Sequence, residues 1–91
     1  MKKWFVYIAL CKDNALYTGI TTDIKRREKE HNLNNKLGAK SLRAKRPVKI
    51  VYTEAYPNQK EAAQRERTIK NWTREDKLKL IKNQGNKKLA M

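Results

Sequence analysis

The chain is poor in the residues that build stapled, metal-clipped or membrane-embedded folds. A single cysteine, Cys11, excludes a disulfide framework and leaves no disulfide partner. Cys11 and the single histidine, His31, are too few for a zinc ribbon or finger, which takes about four such ligands. Glycine occurs three times and proline twice, with no Pro/Gly/Ser linker and no repeat. The longest apolar run, Trp4 to Cys11, falls far short of the ~20 residues of a membrane helix. No small-residue cleavage site follows it, and there is no Gly-x-Ser-x-Gly elbow. Acidic groups are scarce, nine against 23 Lys and Arg. The expectation is a reduced, soluble, cytoplasmic protein with no membrane partner.

What remains is one small, basic domain. Ninety-one residues carry a net charge of +14, with 38% apolar and 35% charged residues. The excess is even along the chain, with 12 basic and 4 acidic groups in residues 1–46 and 11 and 5 in residues 47–91. The basic surface therefore belongs to the folded body, and a polyanionic partner, nucleic acid, fits it best. We read residues 1–82 as the single domain. Residues 83–91 follow a helix stop expected at Gly85 and are expected to fray.

Residues 3–11 and 15–20 read as a β-hairpin about a Lys12-Asp13-Asn14 turn. Thr21-Thr22-Asp23 offers N-cap oxygens to a helix over Ile24–His31. Asn32–Arg46 reads as a basic loop with one helical turn. Pro47 opens a third strand, Val48–Tyr56, with Val48, Ile50 and Tyr52 alternating against Lys49, Val51 and Thr53. Asn58 and Glu61 have capping-box spacing for a helix to about Asn71, and Thr73 with Asp76 opens another to about Asn83. The fold class is α+β: a small three-stranded antiparallel sheet flanked by helices, in the order ββαβαα.

Some residues sit oddly in this scheme. Glu66 falls on a helix stripe with Ala62, Ile69 and Thr73. It is either an i,i+4 ion pair with Lys70 on a part-exposed face or a functional carboxylate. Arg27 and His31 share a face with Ile24, the only aliphatic residue over 24–31, so that face is either solvated or lines a polar cleft. Tyr7 and Tyr17 are good β-formers wherever they occur.

Taken together, Val6-Tyr7-Ile8, the nine residues separating the tyrosines, Tyr17-Thr18-Gly19, then Arg27, His31 and Glu66 resemble the GIY-YIG nuclease domain. The resemblance spans residues 3–72 and is closest to its small stand-alone bacterial members. Gly38-Ala39-Lys40, Arg46-Pro47-Val48 and Arg65-Glu66 with Ile69-Lys70 also look like that group. The first motif reads Phe5-Val6-Tyr7, without its Gly or Ile, and the second has Thr18 for Ile. Against that family pattern, an appended DNA-binding domain and a second metal ligand are expected to be missing.

The resemblance implies a divalent-metal-dependent endonuclease, acting on DNA with RNA the second possibility. Its alternative is a noncatalytic nucleic-acid-binding module of the same fold. Glu66 would hold one Mg²⁺ or Mn²⁺ and Arg27 a phosphate oxygen. One of Tyr7 and Tyr17 would deprotonate water, with nearby cations favouring phenolate, and His31 would bond a tyrosine or phosphate. Gly19 belongs to the motif. Lys40, Arg43, Lys45, Arg46 and Lys70 are the candidate backbone contacts. A shared site also constrains the hairpin. A two-residue Asp13-Asn14 turn would put Tyr7 and Tyr17 on opposite faces, so an odd loop or a bulge is expected.

Overall fold

The computed structural model describes residues 3–33 and 40–90, with the side chains of Lys40, Ser41, Arg43 and residues 84–90 outside that description. The elements are β1 (Trp4–Cys11), β2 (Leu16–Thr21), α1 (Ile24–Leu33), a 3-10 turn (Lys40–Lys45), β3 (Val48–Tyr56), α2 (Gln59–Lys70) and α3 (Arg74–Ala90). The strands form one antiparallel sheet in the order β2-β1-β3, the expected α+β arrangement. Among the described residues no helix is long and apolar enough to cross a membrane.

The hairpin turns through three residues. Asn14 N–H donates to the Cys11 carbonyl, Cys11 N–H donates to the Ala15 carbonyl, both at 2.9 Å, and Asn14 adopts φ +68°. A turn followed by a left-handed residue is the common three-residue hairpin loop, and asparagine tolerates that conformation. The register sets Tyr7 opposite Gly19 and Ala9 opposite Tyr17, so both tyrosines share a face.

β3 departs from simple alternation. Ile8 faces Tyr52 but Ala9 faces Ile50, leaving Val51 as an extra residue. A bulge inverts side-chain parity. Val48 and Ile50 therefore pack with Tyr7, Ala9, Cys11 and Leu42, whereas Tyr52 packs with Val6, Ile8, Ala62 and Ile69. The expected common face of Val48, Ile50 and Tyr52 is thus corrected.

The helices begin where their caps are. Asp23 Oδ1 accepts from Arg26 N–H at 3.0 Å, Asn58 Oδ1 from Glu61 N–H at 2.9 Å, and Thr73 Oγ1 from Asp76 N–H at 3.2 Å. α2 packs chiefly on β2 and β1. α1 docks on β3 through polar side chains: Glu28 Oε2 accepts from Ile50 N–H at 2.6 Å, and Asn32 both accepts from Val48 N–H at 2.6 Å and donates to its carbonyl at 2.8 Å. These bonds occupy backbone groups that an edge strand otherwise exposes. α3 does not stop at Gly85. It continues to Ala90, since an interior glycine costs a helix only about 1 kcal/mol.

Candidate active site

The face of the sheet under α1 gathers the titratable residues. Tyr7 from β1 is 1% exposed, and His31 from α1 is fully buried. The Tyr7 hydroxyl lies 2.7 Å from His31 Nε2. Tyr17 from β2 completes a three-ring cluster, its ring centroid 6.3 Å from Tyr7 and 5.5 Å edge-on from His31. The Tyr7 ring lies directly over Gly19. A Cβ there would stand 2.5 Å from the Tyr7 oxygen and 2.7 Å from Cζ. Glycine at 19 is therefore required by the buried tyrosine opposite it.

Arg27 stands one helical turn before His31. Its Nη1 donates to Glu30 at 2.9 Å. Burial disfavours the Arg27 cation, but hydrogen bonds to Glu30 and then Tyr7 outweigh this and raise its pKa. Burial is also the main influence on Tyr7. It pushes the phenol up to about 12 against the Arg27 hydrogen bond, with Tyr17 and Glu66 adding to the rise. The expectation that nearby cations favour phenolate fails at Tyr7, because desolvation of the anion is the larger effect. His31 is lowered to about 4, first by burial and then by the Arg27 charge, so its imidazole is neutral at pH 7.

Glu66 lies on α2, which packs most on the edge strand β2. From there its charge reaches the Tyr7 phenol. Its side chain is 19% exposed and pairs with Lys70 Nζ at 3.5 Å. The i,i+4 ion pair is thus present, and Glu66 also belongs to the surroundings of Tyr7. Among the described residues no group of three His, Cys, Asp or Glu could cage a metal ion. A lone part-exposed carboxylate suits Mg²⁺, a hard ion that keeps several waters, and does not suit a zinc-type site.

The basic candidates scatter. Lys45 Nζ is 3.5 Å from Asp13 in the hairpin turn. The Arg46 Nε donates to the His31 carbonyl, so this residue also holds the end of α1. The side chains of Lys40 and Arg43 lie outside the described residues, as do Gly38 and Ala39. Glu30 was missed in the sequence, although its i,i+3 spacing from Arg27 signals a pair. Glu28 and Asn32 carried no such signal, because their partners are 22 and 16 residues away.

Comparison with known proteins gives the family. The GIY-YIG catalytic domain family matches residues 3–79. The chain belongs to the GIY-YIG family. It is 47% identical over 81 residues to the UPF0213 protein of Staphylococcus haemolyticus, covering 89% of this chain and 96% of that one. A relative of the same name from Staphylococcus epidermidis is 48% identical over the same length. The solution NMR structure of the UPF0213 protein BH0048 of Bacillus halodurans superposes with a TM-score of 0.58 at 40% identity, covering 91% of this chain and 86% of that one. Small stand-alone GIY-YIG proteins are thus its relatives, and nuclease chemistry is what the family implies.

Proposed function

We propose that this protein is a metal-dependent endonuclease of the cytoplasm that hydrolyses phosphodiesters, DNA before RNA. The observation that carries the reading is the convergence of Tyr7, Tyr17, His31 and Arg27 under α1, with the charge of Glu66 felt at the Tyr7 phenol.

The two tyrosines differ in what they can do. Tyr7 is buried, its phenol neutral at pH 7, and its oxygen bonded to Arg27 and His31. With Arg27 donating to that oxygen, the phenol proton points to Nε2 of a neutral His31. Tyr7 then positions Arg27 rather than removing a proton. Tyr17 is part-exposed, and we assign it to meet the attacking water and, once its own proton has passed to solvent, to accept the proton of that water. Arg27, its fork held by Glu30, takes a non-bridging phosphate oxygen and offsets the charge that grows on phosphorus. Glu66 would hold Mg²⁺ or Mn²⁺, which when bound offsets charge on the leaving oxygen.

The test is single-turnover cleavage of labelled single-stranded, branched and duplex substrates with Mg²⁺, with Mn²⁺ and with chelator. Cleavage that needs the metal and is lost in Glu66→Gln, at unchanged melting temperature, is the expected result. Cleavage that survives Glu66→Gln returns Glu66 to a surface partner of Lys70. Binding without cleavage in either metal leaves the noncatalytic module.

A further inference from the structure

Beside the tyrosine cluster, at the end of the sheet where β1 begins and β2 ends, lies a concavity of about 200 Å³. Trp4 and Ile20 give it an apolar wall, and Thr21, Thr22, Arg26, Arg27 and Glu30 line the rest. Arg27 belongs to both places, since it also bonds the Tyr7 phenol. The polar rim is braced within itself. Arg26 Nη2 donates to Thr22 Oγ1 at 3.2 Å, Arg26 Nε lies 3.5 Å from Glu30, and Arg27 Nη1 lies 2.9 Å from the other Glu30 oxygen. One carboxylate thus orders two guanidinium groups and leaves the rim a net positive charge.

We propose that this groove is a nucleobase subsite: it takes the unstacked base of the nucleotide next to the phosphate held at Arg27, with Trp4 as the stacking partner. The inference rests on the nuclease reading for the phosphate at Arg27. The occupant follows from size and charge. The groove is smaller than the ~300–1,000 Å³ that encloses a drug-sized ligand, so it admits one planar ring system and not a whole chain segment. An aromatic wall beside ordered arginines matches a flat ring attached to a phosphate, the combination by which proteins hold unpaired bases. An apolar peptide would leave the net positive charge of the rim unanswered, and a bare phosphate would leave Trp4 and Ile20 unused. Arg26, 52% exposed, meets the neighbouring phosphate.

The test uses the full chain in chelator, so that nothing is cleaved. The probes are a labelled single-stranded tetrathymidylate and a deoxyribose-phosphate strand of equal length without bases. In a Trp72→Phe background Trp4 is the sole tryptophan. Its emission should be quenched by the thymidylate and not by the abasic strand. Trp4→Ala should weaken the thymidylate about tenfold, the effect of one lost stacking contact, and leave the abasic strand unchanged. Arg26→Ala should weaken both alike. Equal losses of both strands in Trp4→Ala, or Trp4 emission indifferent to the bases, overturns the subsite. Should Trp4→Ala fail to fold, the emission of Trp4 in the Trp72→Phe protein decides by itself. Cleavage with Mg²⁺ is measured separately. Base-dependent quenching without cleavage keeps the subsite and removes the nuclease reading, whereas cleavage without base dependence does the reverse.

Discussion

The two faces of the sheet solve the same burial problem with different chemistry. Under α2 and α3 the core is apolar: Val6, Ile8, Ala62 and Ile69 are fully buried, with Leu16, Ile20, Trp72, Leu80 and Ile81 packed around them. Under α1 the buried set includes Tyr7 and His31. The apolar face also holds a carboxylate at its margin. Glu54 accepts from the Tyr52 and Tyr56 hydroxyls and from Arg65 Nε and Nη2, and Arg65 in turn lies 5.0 Å over the Trp72 ring. Burial opposes ionisation of Glu54, but these bonds more than offset it and keep its carboxyl below the usual range. A part-buried charge is therefore not by itself the mark of a site. Glu54 has its acceptor positions filled by the protein, whereas among the described residues Glu66 has one lysine at 3.5 Å and capacity left for a ligand.

The sharpest way to separate the faces is to damage each. Tyr17→Phe should lower single-turnover cleavage at least ~100-fold, the ordinary worth of a positioned proton acceptor, and leave the melting temperature within a degree or two. Ile69→Ala, on the other face, should cost about 2–5 kcal/mol of stability by denaturant titration, with the cleavage rate of the folded protein unchanged. A variant on either face that moves both quantities together breaks the division.

Next in size is pH. His31 has its folded pKa depressed to about 4 from an unfolded value near 6.5. Both states are neutral above pH 6.5, so the cost is absent there. Below it the unfolded chain takes the proton first, and stability falls as pH drops from about 6.5 toward 4, by about 3 kcal/mol in all. Tyr7 acts at the other end. Its raised pKa removes stability as pH rises from about 10 toward 12. The melting temperature of His31→Gln should be flatter than that of the parent between pH 4 and 6.5. An unchanged slope would mean that His31 is solvated.

Glu54→Gln should cost about 2 kcal/mol, because Arg65 loses a two-point carboxylate partner in a mostly buried setting. Cleavage should be unaffected, and a larger loss of cleavage than of stability would join the two faces functionally. The smallest effect is a gain. Thr18 is 3% exposed and its hydroxyl has no hydrogen-bond partner among the described residues, so Thr18→Val should stabilise the protein by about 1 kcal/mol. A fall in melting temperature would mean that the hydroxyl is bonded in solution.

How much of this was legible follows a simple division by distance. Element order, the caps at Asp23, Asn58 and Thr73, the Glu66–Lys70 pair and the Tyr7/Tyr17 spacing are local, and local rules act over three or four residues. The odd hairpin loop was legible as one of two ways, the other being a bulge, that side-chain parity left for the tyrosines to share a face. The Val51 bulge was not, since nothing in Val48–Tyr56 tells an extra residue from regular alternation.

By itself, the sequence determined a small basic α+β domain, its strands and helices, and, through its resemblance to the family, which residues to propose for phosphodiester chemistry. Only the tertiary structure decided how those residues are tuned. The neutral Tyr7, the neutral His31 and the division between Glu54 and Glu66 depend on desolvation and on partners 11 to 24 residues away. The requirement for glycine at 19 likewise comes from the ring of Tyr7 lying across it. A pKa is set by what surrounds a group in space, and no pattern along the chain encodes that before the chain has folded.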